Sequence, residues 1–378
     1  MIMEKRDMKK VLFLTNYPSP YRVRFFDELA KYVDVTVLFA DRKEKQKHRN
    51  VQWYIQGEGR FQAVQLEKHL VAFGRFDLCT DVLPWLKKDF DEVVVCGYSN
   101  PTMILAMLYM RLHRIPFCME VDGGLIRQDS KPKYLVKKFL VTLANRWLST
   151  GKQTTRYLVH YGAKADSVTE YPFSSLMSGD ILSTPVPKQE KKALREELGV
   201  PESQMVLAIG QFIHRKGFDV LMHSAKSLSP DVGVYIIGAE APEAYLRLRE
   251  ELGVDNVHFK GFQTKEQLTK FYKASDLFVL PTREDIWGLV INESLAHGLP
   301  TITTDRCVAG LELLEDCVNG YIVPVDDAAA LAEKIQAVLD GDLEAMGSAA
   351  LEKVRPYTVE NMAKAHSLFF DQQFLQRD

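Results

Sequence analysis

Several signals are missing from this sequence, and each absence removes a class of protein. Neither strand-loop opening of the 378-residue chain carries GxGxxG, which argues against a dinucleotide dehydrogenase. The five cysteines, Cys79, Cys96, Cys118, Cys307 and Cys317, are odd in number and form no CxxC. A disulfide framework and a zinc knuckle are therefore not expected, and a reducing compartment fits. Most of these thiols lie in apolar runs such as VVVCGY and IPFCME, as buried cysteines do. The histidines show no metal-ligand spacing. The longest apolar run, MILAMLYM at 103–110, is far short of the ~20 residues that a spanning helix needs. The opening MIMEKRDMKKVLFL has an apolar stretch too short for a secretion signal. A cytoplasmic protein is expected, unless something holds it to the inner face of a membrane. The net charge of −2 provides no global attraction to nucleic acid.

What is present is a chain of ordinary globular composition, 46% hydrophobic and 26% charged. Its length suggests two domains at ~150 residues each. The chain also has a repeated opening. KKVLFLTNYPSPYRVRFFDELAKYVDVTVLFA (9–40) and MVLAIGQFIHRKGFDVLMHSAKSLSPDVGVYIIG (205–238) both read as strand, loop, amphipathic helix, strand. Further continuous apolar strands follow in each half: 92–98 and 115–121, then 256–262, 276–282, 300–305 and 320–325. Such strands alternating with helices predict parallel sheets covered on both faces. The expected fold class is α/β, with two doubly wound Rossmann-like domains facing across a cleft. The expected divisions are 1–175 and 186–355, with a linker near 173–190. A helix in 356–378 is expected to pack back toward the first domain. Ligands of such sheets sit outside the carboxyl ends of the strands.

One strand end stands out. DLFVLPT runs into REDIWGLVINESLAHGLP, where LVINESLAH has helical spacing and Gly298-Leu299-Pro300 is a stop signal. Trp287-Gly288 falls at the helix start, where unpaired N–H groups attract an anion. Gly288 lets a phosphate approach the backbone. Asp285 and Glu293 then suit sugar hydroxyls; the plainer alternative is that Asp285 caps the helix and Glu293 is solvated. In GQFIHRKGFDVL, Arg215 and Lys216 follow a strand of the same domain, placed to pair with a diphosphate unless they are surface charges.

These residues carry a resemblance. GQFIHRKGFDVL, VHFKGF, LTKFYKASDLFVLPTREDIWGLVINESLAHGLPTITTD and EDCVNGYIVPVDDAAALAEKI, in that order over about 205–340, resemble the family 4 retaining glycosyltransferases of GT-B fold. That family's two acids eight positions apart correspond to Asp285, where glutamate is usual, and Glu293. The resemblance implies that Asp285 contacts the donor sugar and Glu293 the donor ribose. It also implies that N–H groups of Trp287, Gly288, Leu289 and Val290, with Ile286 in the same turn, meet sugar and phosphate, and that Lys216 meets the diphosphate. Gln211 stands where an arginine is common, leaving Arg215 to supply that charge.

The first half is less alike. NYPSPYRVRFF replaces the usual glycine pair, and Tyr21-Arg22 open the following helix, an opening similar to that of bacterial surface-polysaccharide transferases of capsule or O-antigen type. Arg22 is a candidate for a donor or acceptor phosphate, or a helix-surface charge. Asp122 stands where the family often has histidine. With Gly123-Gly124 behind it, Asp122 either holds a sugar hydroxyl, accepts a proton from the acceptor, or is a turn residue. Glu120-Val121-Asp122 also resembles an acidic metal motif of another transferase fold, but the cations already serve the diphosphate. No metal and no cofactor are expected. Finally, KPKYLVKKFLVTLANRWL (131–148) is basic without an acid, and a single helix there would place Val136, Leu140, Leu143 and Trp147 on one face. That helix either lies on an anionic membrane or packs on the sheet.

The expected activity is transfer of a hexose, retaining and metal-independent, from a nucleotide sugar to a glycan or lipid-linked glycan. UDP-sugars are favoured over GDP-sugars as donors. A nucleotide-sugar 2-epimerase and a catalytically weak nucleotide-binding subunit are the alternatives.

Overall fold

The computed structural model describes residues 8–41, 59–73 and 76–372; the first seven residues of the opening segment lie outside them. The chain divides into two units, Met1–Ser175 with Tyr357–Asp378, and Leu176–Pro356. The segment expected as a linker belongs largely to the second unit, where Leu182 N–H donates to the Ala296 carbonyl at 2.9 Å.

The first unit runs β1 (Lys10–Thr15), α1 (Pro20–Leu29), β2 (Asp34–Phe39), β3 (Gln62–Gln65), the pair β4 (His69–Phe73) and β5 (Phe76–Cys79), then β6 (Glu92–Cys96). It continues through α2 (Pro101–Leu112), β7 (Cys118–Val121), α3 (Lys131–Val141), β8 (Arg146–Ser149), α4 (Lys152–His160) and β9 (Val168–Glu170). Seven strands form one parallel sheet in the order β3-β2-β1-β6-β7-β8-β9. The run VLFL of β1 is almost completely buried, as a strand covered on both faces requires.

The second unit contains α5 (Lys188–Leu198), β10 (Gln204–Ile209), α6 (Phe218–Ala225), β11 (Val232–Ile237), α7 (Glu243–Leu252), β12 (Val257–Lys260), α8 (Lys265–Ala274) and β13 (Leu277–Leu280). It ends with α9 (Leu289–Ala296), β14 (Thr301–Thr304), α10 (Val308–Leu313), β15 (Gly320–Val323), α11 (Ala328–Leu339) and α12 (Leu343–Val354). Its sheet is parallel, in the order β12-β11-β10-β13-β14-β15. In each sheet the order reverses beside the first strand of the repeat, between β1 and β6 and between β10 and β13. Open α/β sheets bind ligands at such switch points.

The last helix, α13 (Val359–Asp371), belongs to the first unit and packs on α1, with His366 against the Phe25 ring at 4.6 Å. No helix among the described residues is long and apolar enough to cross a membrane.

The stretch 131–148 departs from the expected single helix. Helix α3 stops at Val141, and Trp147 lies on β8, 2% exposed, with Nε1 donating to the Val141 carbonyl at 3.1 Å. Pairing of Arg146–Ser149 with β7 overrides the helical spacing. Leu140, Leu143 and Trp147 are buried, whereas Val136 is 58% exposed, so the four do not share a face.

Glu92 on β6 is 5% exposed; Arg146 meets one oxygen at 2.7 Å, and Oε1 has no hydrogen-bond partner among the described residues. Burial therefore raises its carboxyl from 4.5 to about 7, an effect that the Arg146 charge only partly offsets. The folded protein binds the proton more tightly than the unfolded chain. This contribution is complete below about pH 4.5, is lost as pH rises to about 7, and amounts to roughly 3 kcal/mol. Glu92→Gln should stabilise the protein by roughly 1–3 kcal/mol at about pH 8 and have little effect near pH 4.5. Urea midpoints at the two pH values test this; a variant less stable than wild type at the higher pH would refute it.

Candidate active site

In the second unit the loops after β10 and β13 meet at the switch point. After β10 the chain makes a tight turn, His214–Lys216, and exits through Gly217 at φ +67°. A Cβ on Gly217 would lie 2.0 Å from the Pro281 carbonyl oxygen, so the two loops touch only because this residue is glycine. Thr282 Oγ1 and Arg283 N–H both donate to the Arg215 carbonyl, at 2.9 and 2.8 Å.

That contact delivers both cations to one acid. Lys216 Nζ lies 2.5 Å from Asp285 Oδ2, and Arg215 Nη1 lies 3.3 Å from Asp285 Oδ1. Arg215 also donates to the Glu284 carbonyl at 2.5 Å. Asp285 does not cap the helix: the N-cap of α9 is Gly288, with no side-chain cap. The Asp285 backbone is instead anchored to the β14–α10 turn, through its N–H on the Arg306 carbonyl and its carbonyl on Val308 N–H.

Gly288 takes φ +101°, and a Cβ there would lie 2.9 Å from Cys307 Sγ. Its absent side chain thus serves the backbone turn and the packing on Cys307 as well as access to the helix start. Trp287 is 4% exposed and bonds Asn292 Oδ1 through Nε1 at 2.8 Å, so only its backbone can serve a ligand. Leu289 and Val290 are half-buried and Ile286 is 55% exposed. Burial and the Asp285 charge raise the Cys307 thiol to about 12, so it is not a nucleophile.

Glu293, in the second turn of α9, accepts from the buried Tyr272 hydroxyl at 3.0 Å. Tyr272 stacks on His297 at 4.6 Å, and burial lowers the His297 pKa, leaving a neutral imidazole. Sequence reasoning overlooked Tyr272. It also overlooked Arg283, which bonds Asp219 at 2.6 and 2.9 Å, Asp326 at 2.6 Å and the His214 carbonyl at 2.8 Å. Arg283 ties the cation turn to the Asp285 loop; its adjacency to Glu284-Asp285 was the available signal. Gln211 is exposed.

In the first unit the residues after β1 and β7 also converge. Arg22 is 3% exposed and is neither a surface charge nor open to a phosphate. Its Nη1 lies 2.9 Å from both oxygens of Glu120, and its Nη2 bonds Asp122. Glu120 is fully buried and also receives Tyr171 Oη at 2.8 Å, Cys96 Sγ at 3.0 Å and His366 Nε2 at 3.3 Å. Burial opposes its charge, but Arg22 and then His366 outweigh burial and hold the carboxyl below its usual range. Asp122 keeps 36% of its side chain exposed, followed by the half-buried Gly123. Tyr21 packs its ring on Phe173 at 5.7 Å, and burial raises its phenol pKa.

The second unit is thus a parallel α/β unit with two cations and a glycine-opened helix start at its switch point. Residues 190–353, which lie within the second unit, match the family described as Glycosyl transferases group 1. The D-inositol 3-phosphate glycosyltransferase of Mycolicibacterium smegmatis is 33% identical over 177 residues, 44% of this chain. The chain spans only 40% of that relative's length. Sucrose-phosphate synthase from Thermosynechococcus elongatus superposes with TM-score 0.73 at 19% identity, covering 96% of this chain and 98% of that one. Anabaena HepE in complex with UDP and glucose gives 0.71 at 16% identity, covering 97% and 100%. The fold is therefore GT-B.

Proposed function

We propose that the chain is a retaining, metal-independent glycosyltransferase. It moves a hexose-type sugar from a nucleotide-sugar donor, UDP-linked in preference to GDP-linked, to a glycan or lipid-linked glycan of surface-polysaccharide type. One observation carries the reading: Lys216 and Arg215 converge on Asp285 close to the uncapped start of α9. Two cations and a row of backbone N–H groups suit a diphosphate, and Asp285 suits the hydroxyls of the sugar attached to it. HepE, solved with UDP and glucose, supports the donor class. Charge developing on the departing diphosphate would be stabilised by the two cations. Retention would follow from attack on the face that the diphosphate leaves, without a protein nucleophile. In the first unit Asp122, beside Gly123 and Tyr21, is assigned to the acceptor, with Arg22 as its positioning partner.

Lys216→Ala and Arg215→Ala should each weaken UDP binding by about 10- to 150-fold, since a charged hydrogen bond contributes roughly 1.5–3 kcal/mol. Titration calorimetry with UDP and GDP reads this directly, and unchanged affinity in both variants removes the phosphate site. Turnover is expected to survive EDTA. Loss on chelation with recovery on adding Mn²⁺ would return Glu120 and Asp122 to consideration as metal ligands.

A further inference from the structure

One helix layer of the first unit combines helices without acids and a set of exposed large apolar side chains. Helices α2, α3 and α4 follow successive crossovers β6 to β7 to β8 to β9 in one direction across the sheet. Right-handed connections place all three on the same face. Their sequences, PTMILAMLYMRL, KPKYLVKKFLV and KQTTRYLVH, contain no aspartate or glutamate. Large apolar side chains nonetheless project from this layer: Leu112 is 79% exposed, Leu135 61%, Val136 58% and Phe139 54%, with Ile126 at 47% in the loop before α3.

Helix α3 has two seams. Leu140 and Val141 face the core, and Lys137 turns inward to Asp129 at 2.7 Å and the Tyr161 hydroxyl at 3.2 Å. At ~100° per residue, Lys138, Lys131, Leu135 and Phe139 fall within about 100° of arc on the outer side, with Val136 beside them. This outer seam alternates cations with apolar tips. A cavity of about 440 Å³ opens against it, and Arg127, Asp129, Lys131, Tyr134, Leu135 and His160 are among its lining; the Asp129 carboxylate there is already paired with Lys133 at 2.9 Å and Lys137 at 2.7 Å.

Charge selects the occupant. A second copy of this chain in a two-fold contact would set the same cations against themselves. An anionic lipid surface complements them and accepts the apolar tips. We propose that this layer docks on a bilayer containing anionic phospholipid. Ile126, Leu135 and Phe139 enter the headgroup region, and the cavity takes a lipid phosphate near Arg127 and Lys131. The proposal stands whether or not the transferase reading holds, because it concerns a different surface and its test needs no turnover.

The test is sedimentation of the full chain with vesicles of phosphatidylcholine, alone and with phosphatidylglycerol added. Binding to the mixed vesicles is expected to exceed binding to the neutral ones and to fall with salt. The variant Arg127→Gln/Lys131→Gln/Lys138→Gln should bind mixed vesicles roughly 100-fold more weakly, about fivefold per cation. Leu135→Ser/Phe139→Ser should lose roughly tenfold or more. All five positions are exposed, so both variants should keep the wild-type melting temperature. Lys192→Gln/Arg247→Gln, in the second unit, should bind as wild type. No binding to mixed vesicles at low salt, or equal binding by both test variants, overturns the proposal. So does a wild-type dimer that Leu135→Ser/Phe139→Ser dissociates while vesicles are ignored, which would assign the face to a second copy.

Discussion

Glu120→Ala should cost the first unit roughly 3–5 kcal/mol, a large part of the stability of an ordinary domain. The side chain is fully buried and joins four elements: Arg22 of α1 at 2.9 Å, Cys96 of β6 at 3.0 Å, Tyr171 after β9 at 2.8 Å and His366 of α13 at 3.3 Å. Truncation leaves a buried guanidinium whose remaining carboxylate partner, among the described residues, is the partly exposed Asp122. It also deprives Tyr171 of an acceptor. The pH dependence has a definite sign. Because the folded carboxyl lies below its ordinary value, its contribution is present above about pH 4.5 and is lost as pH falls. Wild type should therefore lose stability in acid more steeply than the variant. This window lies below that of Glu92, so the two carboxyls can be separated by titration. Glu120→Gln, which keeps the volume but not the charge, should fall between the two. Urea unfolding with no ligand present is the measurement. A Glu120→Ala protein as stable as wild type at neutral pH would show that the carboxylate is not structural and would reopen a functional role.

Asp285→Asn should lower turnover by about 10- to 150-fold, the loss expected when one charged hydrogen bond to the substrate disappears. The same substitution should leave UDP affinity unchanged or raise it. Without a donor, Lys216 and Arg215 are held by the Asp285 carboxylate, which competes with any diphosphate for them. An amide relaxes that hold. Opposite signs for affinity and turnover are the signature of this arrangement, and initial rates together with UDP titration measure both. The fold should tolerate the change, because the Asp285 backbone still anchors the loop and the amide oxygen can still accept from Lys216. Asp285→Glu moves the carboxylate one methylene outward and should alter the preference among donor sugars more than the affinity for UDP. Full turnover with weakened UDP binding in Asp285→Asn would assign the carboxylate to the nucleotide instead of the sugar.

The sequence by itself determined the α/β class, the switch-point loops and most strands of the two parallel sheets, but not β3, β8 and β9. Continuous apolar runs such as VLFL and MVLAI state their own burial, and glycines beside Lys216 and Trp287 mark turns that other residues cannot make. Those signals are local, extending over one strand or one helical turn. Tertiary structure decided which side chain meets which. Asp285 could be read as a cap until the β10 loop, 69 residues earlier, brought Lys216 onto it. Arg22 could be read as a surface charge until β7 placed Glu120 above it, 98 residues later. His366 reaches Glu120 across 246 residues, and no period in the sequence records that distance. Trp147 shows the reverse case, a helical spacing overruled by a neighbouring strand with unpaired backbone groups to satisfy. Burial follows from composition along the chain; partnership follows from the order in which strands assemble beside one another.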